Sequence, residues 1–235
     1  MTSTSAPQPT SRPECPEPPA ARTFPVHHHP TSSTPAPQVR LETLLVRSGT
    51  GTDPATGAIT TPIHLSTAYG HPGLGESTGY DYTRTASPTR DVLQDALARL
   101  EGGTAAFALS SGMAALELVT RTLAPHGSRI VALRDLYGGS FRFLEVLAEE
   151  GAADVDFVLG IKGLREALAT PADLVIIETP TNPMMEEIPI PEAAELARAA
   201  GARLVVDNTF YTPVVQRPLE LGADVVVHSG TKYLG

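Results

Sequence analysis

The sequence predicts an α/β protein with a mostly parallel sheet over residues 91–235, and three observations carry that prediction. Short apolar or β-branched runs alternate with longer amphipathic stretches, glycines follow the amphipathic stretches, and polar clusters follow the apolar runs. Alternation of this kind marks βαβ units, in which each strand is followed by a helix that returns the chain to the starting edge of the sheet.

Taken in order, the strand candidates are Thr104–Leu109, Arg129–Leu133, Val155–Leu159, Leu174–Ile177, Arg203–Val206 and Ala223–Val227. Each is short and flanked by Gly, Pro, Asp or Ser. The helix candidates are Val92–Leu100, Ala114–Leu123, Phe141–Glu149, Leu164–Leu168 and Glu192–Ala199, with apolar residues three and four positions apart. Gly102, Gly127, Gly151 and Gly201 follow four of them as stops, because glycine takes up the left-handed conformation that ends a helix without steric cost. No internal repeat points to a solenoid.

Ahead of this domain lie two other segments. Ten of the 22 prolines fall between Pro7 and Pro37, among many Ser and Thr. Residues 1–38 are therefore expected to form a disordered tail, too poor in apolar groups to offset the entropy of ordering. The tail lacks a signal-peptide core, and Glu14 and Glu17 do not suit a transit peptide. Residues 39–90 form an arm between the tail and the α/β domain.

Composition removes several function classes. With 17 basic and 26 acidic residues the net charge is −9, and no basic stripe follows the surface a nucleic acid would need. No stretch approaches the ~20 apolar residues of a membrane span. The single cysteine, Cys15, excludes an internal disulfide framework and a cysteine-based zinc site, which fits a reducing compartment, the cytoplasm. His27, His28 and His29 stand on a proline-flanked segment without preset geometry, so no metal site is expected.

In open parallel sheets ligands bind beyond the carboxyl ends of the strands, so the residues there are the candidates for chemistry. After the first strand candidate comes Ser110-Ser111-Gly112-Met113, a turn opening into a helix whose free N–H groups suit a phosphate. After the second come Asp135, Tyr137, Gly138 and Gly139; after the fourth, Glu178-Thr179-Pro180-Thr181-Asn182-Pro183. After the last two come Asp207-Asn208-Thr209 and His228-Ser229-Gly230-Thr231-Lys232. The set offers an amine, a carboxylate, a flat ring and phosphate donors, which is what a phosphorylated pyridine aldehyde requires, and pyridoxal 5'-phosphate (PLP) is the expected cofactor. Lys232 is expected at a buried strand end, where a free ammonium is costly and a Schiff base relieves the cost. Taken alone it would be an ordinary surface lysine, and Asp207 alone an ordinary turn or cap residue; their convergence carries the reading.

The runs Tyr80-Asp81-Tyr82-Thr83-Arg84, Ser111-Gly112-Met113-Ala114-Ala115, Glu178-Thr179-Pro180-Thr181-Asn182-Pro183, Val206-Asp207-Asn208-Thr209-Phe210 and Ser229-Gly230-Thr231-Lys232-Tyr233 resemble those of the Cys/Met-metabolism, or trans-sulfuration, family of PLP-dependent enzymes. The resemblance runs from about Leu41 to the last residue. It implies the fold type I, aspartate aminotransferase-like transferase fold, with residues 91–235 as the PLP-binding large domain. Lys232 would form the Schiff base and move protons between substrate carbons, Asp207 would keep the ring nitrogen protonated, and Tyr137 would stack on the ring. Ser111, Gly112, Met113, Ser229 and Thr231 would hold the phosphate, with Thr209 beside Asp207 in the cofactor shell.

The resemblance further implies that the 39–90 arm contacts a neighbouring subunit, that Tyr82 and Arg84 reach that subunit's cofactor, and that the protein is a homo-oligomer, a dimer of dimers. Its substrates would be small amino acids. The stretch Pro62-Ile63-His64-Leu65-Ser66-Thr67-Ala68-Tyr69 and the following Gly73–Gly79 look most like cystathionine γ-synthase and O-acetylhomoserine thiolyase, which implies γ-replacement on an O-acylated homoserine by cysteine or sulfide. Cystathionine β-lyase and γ-lyase share the cofactor motifs and remain the alternative. Two departures stand out. Ser87 occupies a position where the family usually has Asn, so the turn beside Arg84 is expected to be held differently. The chain also stops at Gly235, and the family's small C-terminal domain does not follow, so a fragment of a longer enzyme or an inactive truncated homologue is the further expectation. A nicotinamide-dependent dehydrogenase is disfavoured, since no Gly-x-Gly-x-x-Gly run opens the first strand-to-helix turn.

Overall fold

The computed structural model describes residues 39–51, 53 and 55–234. The expectations for residues 1–38, including the histidine triplet and Cys15, lie outside them. Five parallel strands form one sheet: β1 (Ser128–Leu133), β2 (Ala153–Val158), β3 (Leu174–Glu178), β4 (Arg203–Asp207) and β5 (Val225–Val227), in the order β2-β1-β3-β4-β5. Parallel strands covered on both faces read as continuous apolar runs, and Leu-Val-Ile-Ile-Glu of β3 is buried at every position.

Seven helices accompany the strands: α1 (Leu41–Arg47), α2 (Pro88–Glu101), α3 (Gly112–Leu123), α4 (Gly138–Glu149), α5 (Gly160–Ala167), α6 (Ile190–Ala199) and α7 (Thr212–Val215), with a 3₁₀ turn at Pro218–Leu221. Leu144 of α4, Leu164 of α5 and Ile190 of α6 are sealed against Ile130, Leu174, Ile176 and Leu204 of the sheet. Each such side chain contributes roughly 1.5–3 kcal/mol by leaving water. No helix among the described residues is long and apolar enough to cross a membrane.

One expected strand is absent. Thr104–Leu109 runs without strand pairing, and Phe107 and Leu109 are exposed. Its apolar composition favours extended backbone, but a ladder needs a neighbour. A cavity of about 330 Å³ lies between this segment and the free edge of β5, and the Ala108 amide turns to Gln94 Oε1 at 2.9 Å. The described sheet therefore has five strands where six were expected. Helix α2 also starts earlier than expected, at Pro88, inside the segment assigned to the arm.

The strand order fixes where a ligand can sit. The chain moves from β1 outward to β2 and then back across β1 to β3, so the connections leaving β1 and β3 diverge and open a crevice at their carboxyl ends.

Candidate cofactor-binding site

A cavity of about 220 Å³ occupies that crevice. Five chain segments build it. Helix α3 contributes Ser111, Gly112 and Met113; the turn after β1 contributes Tyr137; the end of β4 contributes Asp207 and Thr209; the turn after β5 contributes Ser229, Thr231 and Lys232. Glu178 and Asn182 close it from β3, with Ser140 and Leu116 behind.

The α3 side is an anion cradle. Ser111, in extended conformation, caps the helix by accepting from the Ala114 amide at 3.0 Å. The amides of Gly112 and Met113 have no intrahelical acceptor and remain as donors. Glycine is required at 112 by proximity: a Cβ there would lie 2.8 Å from Ser229 Cβ. At Gly139 a Cβ would meet the Tyr137 ring at 2.5 Å and Met113 Sδ at 3.1 Å, so this glycine lets the tyrosine and the cradle pack together.

Two carboxylates face each other on adjacent strands, since Glu178 of β3 is in register with Asp207 of β4. Glu178 Oε2 accepts from the Tyr137 amide at 2.5 Å, fixing the turn that carries the ring. Burial, with the nearby Asp207 and Asp135 charges, pushes the Glu178 carboxyl up to about 7, against the Tyr137 amide and Asn182, which pull it down. Asp207 Oδ1 accepts from the Thr209 amide at 2.9 Å and from Thr209 Oγ1 at 2.5 Å, leaving Oδ2 for a donor in the cavity. Burial also raises the Asp207 carboxyl above its ordinary value, opposed by these two bonds and by His228. Thr209 Oγ1 in turn accepts from the Ser229 amide at 2.8 Å, joining the end of β4 to the turn after β5.

Nine of the eleven residues picked from the sequence thus line one cavity; Tyr82 and Arg84 do not. These two lie on the exposed arm, where an antiparallel bridge pairs Ala68 with Tyr82 and the Arg84 guanidinium sits 4.9 Å from the Tyr82 ring centre. The turn at Ser87 is held as a helix start: Ser87 is buried, its hydroxyl caps nothing, and Arg90 donates to the Thr85 carbonyl at 2.6 Å. One expectation is corrected. Lys232 lies at the cavity wall and is exposed among the described residues, where a buried strand end was expected. What singles Lys232 out in this structure is its place on the cavity shared with the cradle and Asp207. The sequence reading did not choose Glu178 or Asn182 as site residues, although both stand in the polar run after β3. Their signal was the strand order, which places β3 at the crevice.

The donor set suits PLP: unshared amides and hydroxyls for a phosphate, one carboxylate oxygen for a ring N–H, an aromatic ring beside them and a lysine at the wall. A parallel α/β domain with this crevice defines a class of ligand-binding sheets, and sequence comparison narrows it. The sequence model of the family described as Cys/Met metabolism PLP-dependent enzyme matches residues 42–235. Cystathionine γ-synthase of Haemophilus influenzae is 46% identical over 200 residues, covering 84% of this chain and 54% of that protein. Cystathionine β-lyase of Lactococcus lactis subsp. cremoris is 41% identical, covering 83% of this chain and 52% of that protein. The crystal structure of cystathionine γ-synthase from Xanthomonas oryzae pv. oryzae in complex with aminoacrylate and cysteine superposes with a TM-score of 0.81 at 42% identity, covering 83% of this chain and 51% of that one. The chain belongs to the Cys/Met metabolism PLP-dependent enzyme family, and it spans about half the length of the curated relatives it matches.

Proposed function

We propose that this chain carries the PLP site of a trans-sulfuration enzyme that replaces the acyloxy group on Cγ of an O-acylated homoserine, released as a carboxylate, with the sulfur of cysteine or sulfide. The observation that carries the proposal is the gathering of Lys232, Asp207, Tyr137 and the Ser111–Met113 cradle on one cavity. When bound there, PLP supplies an electron sink for the charge that develops as substrate protons leave. The chain does the rest. The α3 amides, Ser229 and Thr231 hold the phosphate, Asp207 Oδ2 holds the proton on the ring nitrogen, and Tyr137 covers one ring face. The Lys232 amine attaches the cofactor and moves protons between Cα and Cβ of the substrate. Asn182, which bonds Glu178, would line the same cavity beyond β3.

γ-Replacement is preferred to C–S cleavage because γ-synthase relatives match at higher identity than a β-lyase relative, 46% against 41%. In the proposed assembly the arm of residues 39–90 reaches a second copy of the chain, so that Tyr82 and Arg84 complete the partner's phosphate site, as dimers within a tetramer. An Arg fork suits that task because it makes paired charge-assisted bonds to phosphate. The proposed location is the cytoplasm.

Incubation of the PLP-loaded protein with O-acetyl- or O-succinylhomoserine and cysteine is expected to yield cystathionine. Hydrolytic cleavage of cystathionine to a keto acid, ammonia and a thiol amino acid, with no use of the homoserine ester, would instead establish the lyase reading.

A further inference from the structure

One buried carboxylate outside the cavity is bonded to both strand ends that carry the site. Glu101, the last residue of α2, is 4% exposed. Its Oε1 accepts from Asn208 Nδ2 at 3.2 Å and pairs with His228 Nε2 at 2.6 Å, which makes Nε2 the protonated nitrogen of that contact. Asn208 directly follows Asp207, and His228 directly precedes Ser229. Asn208 extends the link to β3: its Oδ1 accepts from Gln216 Nε2 at 3.1 Å, and the same nitrogen donates to the Thr179 carbonyl at 3.3 Å, next to Glu178.

Stability does not explain this arrangement. Burying a carboxylate and an imidazole costs more than their attraction commonly returns, and apolar replacements of similar volume are often neutral or stabilising. The cost is visible, since Glu101 Oε2 and His228 Nδ1 are buried without partners among the described residues. An apolar residue could fill the space, but it could not bond two separate strand ends at once. Sites of this kind need their groups held to within about 0.5 Å by the surrounding shell.

We infer that Glu101 is a positioning residue that sets the spacing between the ring-nitrogen carboxylate Asp207 and the phosphate donors after β5, by holding Asn208 and His228 on one oxygen. The inference rests on the cofactor reading of the cavity. What matters is the reach of the acceptor, not its charge. Glu101→Gln keeps an oxygen at the same distance, whereas Glu101→Asp keeps the charge and withdraws the oxygen by about 1.5 Å.

The test is the PLP dissociation constant of each variant by ultrafiltration, with the visible absorption of the bound cofactor and the melting temperature of the cofactor-free protein measured alongside. Glu101→Gln is expected to bind PLP within about threefold of the unsubstituted protein, and Glu101→Asp to bind at least about tenfold more weakly. Equal losses in the two variants, or unchanged affinity in Glu101→Asp, overturn the inference whatever happens to the melting temperature. If Glu101→Asp does not fold, His228→Gln and His228→Ala give the reading: Gln retains a donor for Oε1 and keeps its affinity, Ala loses about tenfold, and equal affinities overturn the inference. An unsubstituted protein that binds no PLP overturns the cofactor reading and this inference together; normal binding in every variant overturns the inference alone.

Discussion

Gly112 and Ser229 lie so close that a Cβ added at Gly112 would sit 2.8 Å from the Ser229 Cβ and 3.2 Å from its Oγ. The contact joins the helix-start cradle to the turn that carries Lys232, so the two sides of the proposed phosphate site would share one van der Waals boundary. Gly112→Ala must push them apart. Alanine is a better helix former than glycine, so α3 itself is retained. The expected outcome is a PLP dissociation constant raised at least about tenfold, in line with the roughly 1–3 kcal/mol typical of overpacking. Circular dichroism checks the helix content and equilibrium dialysis the affinity.

In the proposed cofactor site Asp207 Oδ2 would hold a proton on the ring nitrogen, since Thr209 occupies Oδ1. Asp207→Asn preserves shape and the Oδ1 acceptor but removes the charge. PLP content should therefore persist while turnover falls on the order of a hundredfold, the scale of losing one aligned electrostatic partner. Measurement of kcat for cystathionine formation beside the bound-cofactor content separates the two effects.

The Glu178 carboxyl, pushed up from 4.5 to about 7, gives the cofactor-free protein a distinctive pH response. Between those values the folded state holds a proton that the unfolded chain has released. Stability contributed by that proton is present at the acid end and is lost as pH rises through the window. Glu178→Gln removes this contribution. The melting temperature of the variant should fall less than that of the unsubstituted protein between about pH 5 and about pH 8.

In the proposed assembly Arg84 and Lys232 would come from different subunits and complete one site. Arg84→Ala and Lys232→Ala proteins, each inactive alone, should regain activity when mixed and reassembled, because half of the sites in each mixed pair are intact. Equal mixing is expected to give roughly a quarter of full activity. Activity that stays absent after subunit exchange, followed by mass spectrometry of the assemblies, contradicts the shared site.

Much of the fold was legible because parallel strands buried on both faces announce themselves. Leu174–Ile177 and Arg203–Val206 match β3 and β4 to within a residue, since their apolar runs end sharply at Glu178 and Asp207. Thr104–Leu109 misled because an apolar run records only a wish for burial; whether a neighbouring strand lies within hydrogen-bonding distance is a property of the whole sheet. Strand order was equally hidden, and with it the position of Glu178 at the crevice. Six of the nine gathered site residues were legible because they end or follow β1, β4 and β5, where topology brings them together; Ser111, Gly112 and Met113 were legible as the turn that opens α3, although the segment before it is not a strand. Glu101 was not: it closes a helix, and its partners are 107 and 127 residues away.

In the proposed site Lys232 attaches the cofactor in the cavity formed by Asp207 and the Ser111–Met113 cradle. Borohydride reduction of the PLP-treated protein, followed by peptide mass spectrometry, tests it directly. The expected result is a reduced pyridoxyl-phosphate adduct on Lys232, with the visible absorption abolished in Lys232→Ala. An adduct confined to Lys162, or visible absorption that survives in Lys232→Ala, would contradict it.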